Sequence, residues 1–174
     1  MSNSPEVANS GKAVVTTIGD KQIEVVREFD APRHLVFRAY TEPELIKRWW
    51  AGRRATVTSV ESDLRVGGSY RYAARAKEGF EEGFEVALRE VAFRGTFKEV
   101  VANERLVYTE IFEAQPQEEA LTTVTFEEND GRTTLRMMIE MGSTETRDLM
   151  AGQMEDGVQE GFDIIDEIVR ELGE

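Results

Sequence analysis

The sequence contains no cysteine and a single histidine, and both shortages restrict its chemistry. Without cysteine the chain has no disulfide, no thiolate nucleophile and no Cys-ligated metal. The histidine, His34, falls in the first turn of a predicted helix, far from any predicted cavity. This excludes serine and cysteine triads and argues against a histidine-based metal site. We therefore predict no catalytic residue, no metal and no cofactor, although the many carboxylates leave acid–base chemistry open.

Basic residues are also scarce: 21 Lys and Arg stand against 34 Asp and Glu, which gives a net charge of −13. That charge repels phosphates and anionic lipid headgroups, so we expect no nucleic-acid partner and no membrane insertion. No apolar run is long enough for a membrane span, and the first dozen residues lack a signal-peptide core. We expect a cytoplasmic protein, with a disordered tail over 1–12 and a single domain over 13–174.

Residues 27–50 predict two short helices in succession. Asp30 and Pro32 suit a helix start, because an Asx side chain accepts an orphan N–H and proline fits the first turn. Thr41-Glu-Pro-Glu44 has the pattern of a capping box, which would start the second helix, and Gly52 would end it. Helices this short are unstable alone, so both must pack on a larger element.

Most of the remaining chain alternates apolar and polar residues, which predicts β-strands. The segment 14–29 predicts either one strand interrupted near Gly19-Asp20 or a short hairpin. After the helices, short polar turns separate the predicted strands, which indicates an antiparallel meander. These strands are predicted over 55–62, 69–75, 93–101, 106–112, 121–127 and 133–140. The segment 79–90 breaks the pattern and predicts an extended hairpin loop.

A long amphipathic helix is predicted over 144–172, capped by Ser143 or Thr144. At 1.5 Å per residue it would run roughly 40 Å, long enough to cross a sheet. Three glycines, Gly152, Gly157 and Gly161, lower its helix propensity, which suggests close approach or open space beside it. The order β-α-α-β(5–6)-α predicts an α+β fold, with helices covering one face of a curved antiparallel sheet of six or seven strands.

Several motifs occur together along the chain: Arg27-x-Phe-Asp-Ala-Pro-Arg33, Thr41-x-Pro-Glu44, Trp49-Trp50, Asp63-Leu-Arg-Val-Gly-Gly68 and Met154-x-x-Gly157-x-x-x-Gly161. As a set they resemble the START/Bet v 1-like (SRPBCC) superfamily, in particular its activator-of-Hsp90-ATPase homologue-like branch. The resemblance implies a helix-grip fold with a cavity between the sheet and the C-terminal helix. It leaves the activity open, because the superfamily includes lipid carriers, polyketide cyclases, hormone-binding proteins and co-chaperone domains. Many relatives carry a large aromatic where this chain has Val158, which would enlarge the cavity here.

Aromatic and aliphatic side chains are the candidates for the cavity wall, because ligand pockets are mostly apolar with a few polar anchors. The set comprises Trp49, Trp50, Tyr70, Tyr72, Phe97, Tyr108, Phe112, Met150, Met154, Val158 and Phe162. The same residues would serve equally as core filling. The strand bearing the two tyrosines would also change faces if Gly67-Gly68 formed a bulge.

Three charged residues, Arg27, Arg71 and Glu110, are candidate polar anchors. An inward arginine needs an acceptor, either a ligand carboxylate or an acidic neighbour, whereas an outward arginine is solvated.

Three functions are compatible with these observations. The leading hypothesis is a binding domain for a small hydrophobic or aromatic molecule, without catalysis. A cyclase-like or hydrolase-like enzyme acting on a polyketide-like substrate would need an ionisable cavity group with a perturbed pKa. A co-chaperone-like protein-interaction module would need an exposed apolar patch near the Trp-Trp pair. We expect a monomer or a weak homodimer.

Overall fold

The alternating segments form one antiparallel sheet in the computed structural model, which describes residues 11–79 and 90–174. The strands are β1 (Val14–Ile18), β2 (Gln22–Phe29), β3 (Ala55–Ser62), β4 (Ser69–Ala76), β5 (Glu90–Val101), β6 (Arg105–Phe112), β7 (Glu119–Asn129) and β8 (Arg132–Glu140). Their order across the sheet is β1-β2-β8-β7-β6-β5-β4-β3. The expected hairpin loop at 79–90 falls almost wholly outside the described residues.

Within the described residues the sheet has eight strands, so the prediction of six or seven is wrong by at least one. The difference arises at Gly19, whose φ of +56° suits a tight turn and divides the first segment into β1 and β2. The two strands pair as a hairpin, with Ile18 opposite Gln22. The hairpin alternative was therefore the correct one, and it adds β1 as an edge strand.

The two short helices are α1 (Arg33–Thr41) and α2 (Pro43–Trp49). The first helix begins just after Pro32, within the predicted region, but the predicted side-chain caps Asp30 and Thr41 are wrong: Pro32 and Glu42 occupy the N-cap positions, and neither makes a side-chain capping bond. Thr41 is still inside α1, where its hydroxyl donates to the Phe37 carbonyl at 2.6 Å. The break comes from Pro43, which forces Glu42 into an extended conformation with ψ of 125°.

The C-terminal helix, α3, spans Thr144–Leu172 as predicted. Ser143 caps it by accepting a hydrogen bond from the Thr146 backbone N–H at 3.2 Å. One turn later, the buried Arg147 guanidinium donates to three carbonyls at the β1–β2 turn, which fixes the start of the helix against the sheet edge. No helix within the described ranges combines the length and apolarity that a membrane span requires.

A continuous hydrophobic core lies between one face of the sheet and the three helices. Phe29 of β2 meets Phe162 of α3 edge-to-face at 6.1 Å between ring centres. Arg27, only 2% exposed, also lies under α3 and donates to Asp163 at 2.9 Å. The long helix is therefore held to the sheet by apolar packing and by an ion pair whose arginine is buried and whose aspartate is half-exposed.

Candidate functional site

A cavity of about 370 Å³ remains between α3, the end of α2 and the inner face of the sheet. Its wall is mostly apolar and rich in aromatic rings. The lining residues are Tyr40, Thr41, Trp49, Trp50, Ala51, Ser62, Leu64, Tyr70, Tyr72, Phe93, Phe97, Leu106, Tyr108, Glu110, Thr122, Met137, Ile139, Met154, Gly157, Val158, Gly161 and Phe162. The volume lies within the range of pockets that hold small organic ligands.

Two glycines of α3 shape the helical side of the cavity in different ways. A Cβ built at Gly157 would meet nothing within 4 Å, so this glycine leaves open space at the wall. A Cβ at Gly161 would lie 3.1 Å from the Trp49 carbonyl oxygen, so that glycine allows α3 to approach the end of α2. The sequence suggested both roles, and the structure assigns one to each residue.

Tyr70 and Tyr72 of β4 face the cavity from the sheet side. The Tyr70 ring crosses over Gly95 of β5, where a Cβ would overlap the Thr109 carbonyl oxygen of β6. Because Gly95 leaves this space, the Tyr70 hydroxyl reaches that same carbonyl and donates to it at 2.7 Å. Gly67 and Gly68 precede β4 and form no bulge in it, so the strand keeps both tyrosines on its inward face.

The Trp-Trp pair forms the end of the cavity nearest α2. Trp49 is buried, stacks on Tyr40 at 5.3 Å and donates from Nε1 to the Ala39 carbonyl at 2.8 Å. Trp50 is half-buried and makes edge-to-face contacts with Tyr72 and Phe93, at 5.6 and 5.7 Å. Both rings therefore belong to the wall rather than to an exposed patch.

The polar groups of the cavity are few, and one carboxylate stands out among them. Glu110 of β6 faces the cavity from a position opposite Ala120, whose methyl group offers no donor. Among the described residues none hydrogen-bonds or pairs with its carboxylate. Burial raises the pKa of Glu110 to about 7, because the carboxylate has lost hydration without gaining a partner.

Hydroxyl groups make up the rest of the polar wall. The Tyr40 and Tyr108 hydroxyls share a hydrogen bond at 2.7 Å. Burial raises the pKa of Tyr72 to about 12, and it raises the pKa of Tyr40, Tyr70 and Tyr108 further, so all four are neutral near pH 7. Thr122 of β7 is 1% exposed, and its hydroxyl has no hydrogen-bond partner in the described chain.

Nine of the eleven predicted lining residues are found at the cavity wall. Phe112 is not, although it shares the inward face of β6: it lies at the strand end, stacked on Phe93 at 4.9 Å. Met150 packs against the core one turn of α3 before Met154, outside the cavity. Phe112 and Met150 differ from the other nine in their position along the strand or helix. Alternation and helical periodicity predict the face on which a residue lies, but not whether the cavity extends that far along the element.

Of the three candidate anchors, only Glu110 reaches the cavity. Arg27 points inward, which was one of the two predicted alternatives. Its guanidinium is paired with Asp163, and neither residue lines the cavity. Arg71 points outward and forms a two-bonded ion pair with Glu113, at 2.8 and 3.0 Å. Neither arginine is placed to anchor a ligand here.

Several wall residues were not predicted, chiefly Tyr40, Phe93, Leu106, Thr122, Met137 and Ile139. Strand alternation carried the signal for most of them: Thr122 is directly opposite both Tyr108 and Ile139 in the sheet register. A threonine on an apolar strand face is usually interpreted as part of the core, however. Only the three-dimensional structure shows that the Thr122 hydroxyl lacks a hydrogen-bond partner among the described residues. No group of three or more metal-ligating side chains occurs in the described ranges.

An antiparallel sheet gripping a long C-terminal helix over a cavity defines the helix-grip class. The chain belongs to the family of activator of Hsp90 ATPase homologue 1-like proteins, whose profile matches residues 30–170. This confirms the predicted branch of the START/Bet v 1-like superfamily. No protein among the curated sequences is similar enough to count as a match.

Solved structures of bacterial proteins share the fold over almost the whole chain. A Rhodobacter sphaeroides protein aligns with a TM-score of 0.79 at 21% identity, covering 92% of this chain and 99% of its own. A Chromobacterium violaceum protein aligns at 0.68 and 26% identity, covering 86% and 96%. An AHSA1-like protein from Aeromonas hydrophila aligns at 0.63 and 24% identity, covering 86% and 94%. These likenesses concern the fold.

Proposed function

We propose that the protein binds a small hydrophobic or aromatic molecule in the cavity between α3 and the sheet. The observation that supports this most directly is the space itself, because a protein core is normally filled to crystal-like density. Here about 370 Å³ stays open in the middle of the aromatic core. Gly157 and Val158 add to that space, since neither carries a large side chain toward it.

Native mass spectrometry of the purified protein, combined with melting curves, tests the proposal. The panel consists of fatty acids, sterols, flavonoids and aromatic polyketides, each also compared as a neutral or cationic analogue. We expect a retained or acquired adduct and a melting temperature that rises with ligand concentration, because a ligand that binds only the folded state stabilises it.

A blocked variant ties the binding to this cavity. Val158→Phe places a ring at the wall and should abolish the adduct while the fold is kept. Val101→Phe is the matched control, because Val101 is 38% exposed and lies outside the cavity, so its adduct should persist. An unchanged mass and melting temperature across the panel would overturn the proposal.

A second candidate is an enzyme that uses Glu110 for proton transfer. It is favoured by one observation: burial raises the pKa of this carboxyl to about 7, which suits a general acid or base near neutral pH. The neighbouring tyrosine hydroxyls of Tyr40 and Tyr108 would orient a substrate oxygen. Conversion of a panel polyketide that stops in Glu110→Gln, with the adduct retained, would establish this function; unchanged panel compounds after prolonged incubation would reject it.

A further inference from the structure

The described cavity wall contains an acidic side chain but no basic one. Among the described residues that line it, Glu110 is the only ionisable group besides the tyrosines, and no lysine, arginine or histidine is present. The protein as a whole carries a net charge of −13. A carboxylate-bearing ligand would therefore bring a second negative charge into a site that offers no cation to pair with it, which is costly at low dielectric.

Glu110 itself is short of a partner. The residue opposite it in the sheet register is Ala120, and none of the described side chains donates to its carboxylate. Carboxylates withdrawn from water are normally paired or hydrogen-bonded, so the half-buried, unpaired Glu110 favours a ligand that brings a hydrogen-bond donor into the cavity. Thr122 on β7, whose buried hydroxyl has no hydrogen-bond partner among the described residues, lines the same cavity.

The groups around this carboxylate are aromatic. Glu110 shares the cavity wall with the rings of Tyr40, Tyr70, Tyr72 and Tyr108, and its charge adds to the effect of burial in raising the pKa of all four. Tyr70 lies 5.0 Å from the Tyr72 ring and 5.5 Å from the Tyr108 ring. An ammonium group near Glu110 would thus lie in a cavity lined by aromatic rings, whose π faces attract cations.

The described cavity wall has no cationic side chain, its one carboxylate has no protein partner, and aromatic rings line the same space. From these observations we infer that the ligand is a lipophilic amine whose cationic nitrogen pairs with Glu110. This rests on the proposed function and narrows it to one class of ligand. The apolar body of the amine would occupy the space lined by Trp50, Phe93 and Val158. Fatty acids and other organic anions are correspondingly disfavoured.

The inference fixes the direction of a pH effect. The titratable groups that face Glu110 are the tyrosines Tyr40 from α1, Tyr70 and Tyr72 from β4, and Tyr108 from β6, all with a raised pKa; α3 contributes only Met154, Gly157, Val158, Gly161 and Phe162. Glu110 therefore titrates alone between pH 5 and 8, around a pKa of about 7. An amine needs the ionised carboxylate, so its affinity should rise as the pH rises. A neutral carbonyl ligand needs the protonated form, so its affinity should fall.

Calorimetry with three probes that share one ring tests the inference: naphthylethylamine, naphthylethanol and naphthylacetic acid. At pH 8 the amine should bind at least roughly tenfold more tightly than the alcohol, as expected for a charged hydrogen bond, and the acid should bind most weakly. At pH 5.5 the advantage of the amine should shrink to within roughly threefold.

Glu110→Gln should remove the advantage of the amine at pH 8 while the alcohol still binds, which shows that the variant cavity is intact. Glu119→Gln is the matched control: it removes the same charge from an exposed position next to Ala120 and should leave the preference unchanged. If the alcohol or the acid binds as tightly as the amine, the inference is overturned and ligand binding stands. If no probe binds, the inference is overturned, and the panel with its blocked variant decides separately whether the cavity binds anything.

Discussion

Two buried threonines on adjacent strands differ in one hydrogen bond, and this predicts opposite effects of the same substitution. The Thr122 hydroxyl has no hydrogen-bond partner in the described part of the chain, whereas the Thr133 hydroxyl donates to the Ala31 carbonyl at 2.7 Å. Thr122→Val should raise the free energy of unfolding by about 1 kcal/mol, and Thr133→Val should lower it by about 1 kcal/mol. Urea denaturation of both variants measures the difference. A loss of stability in both would show that the Thr122 hydroxyl is satisfied in solution.

The ion pair between β2 and α3 is only half-buried, because Arg27 is 2% exposed whereas Asp163 is 45% exposed. Removing the aspartate leaves a charged guanidinium unpaired in the core, so Asp163→Ala should cost about 3 kcal/mol. Arg27→Met conserves most of the volume and leaves the carboxylate in solvent, so it should cost less than about 1.5 kcal/mol. Urea denaturation of the two variants would measure both changes in the free energy of unfolding. Equal costs would mean that packing around Arg27, rather than charge burial, dominates.

Among the helices, two glycines of α3 predict opposite responses to the same substitution. Gly152→Ala should stabilise the protein by up to about 1 kcal/mol, because alanine favours the helix and the new methyl group meets nothing within 4 Å. Gly161→Ala should lose that gain and destabilise, because its methyl group would lie 3.1 Å from the Trp49 carbonyl oxygen. Melting temperatures of the two variants provide the comparison. A rise in both would show that α2 and α3 can move apart freely.

At the level of elements, the sequence predicted the fold well because hydrophobic periodicity persists through each strand and helix. The bounds of β3 and α3 were predicted to the residue. The caps of α1 and α2 were not, because Pro32 and Glu42 occupy the N-cap positions and Pro43 sets the break between the two helices. The count of strands failed at Gly19, where a sequence does not distinguish a turn from an interruption.

The cavity-lining residues were predictable in part, and a stricter use of strand alternation would have improved the prediction. Arg71 lies between Tyr70 and Tyr72, so with both tyrosines inward it must face outward, as it does. Phe112 obeys the alternation of β6 but lies past the end of the cavity, which depends on where α3 crosses the sheet. The isolation of Glu110 depends on Ala120 of another strand. Relations between elements, rather than patterns within them, decide these cases.

For the whole molecule, an unpaired carboxylate inside an acidic protein makes stability depend on pH in a particular direction. Burial raises the pKa of Glu110 from 4.5 to about 7 in the folded state. Between those values the folded protein therefore binds more protons than the unfolded chain, so its stability falls as the pH rises through this window. The loss is complete above pH 7 and amounts to about 3 kcal/mol.

The other carboxylates also titrate, so the contribution of Glu110 is isolated by subtraction. Glu110→Gln should be more stable than the wild-type protein by about 3 kcal/mol at pH 8, and the gap should close near pH 4.5. Glu119→Gln, exposed on β7, should follow the wild-type curve at both pH values. Urea denaturation at several pH values measures all three proteins. A stability gap that stays constant with pH would mean that the Glu110 carboxylate remains hydrated in the cavity. A gap that opens with rising pH would mean that the carboxylate has lost hydration, and this loss is what favours a cationic ligand at the same position.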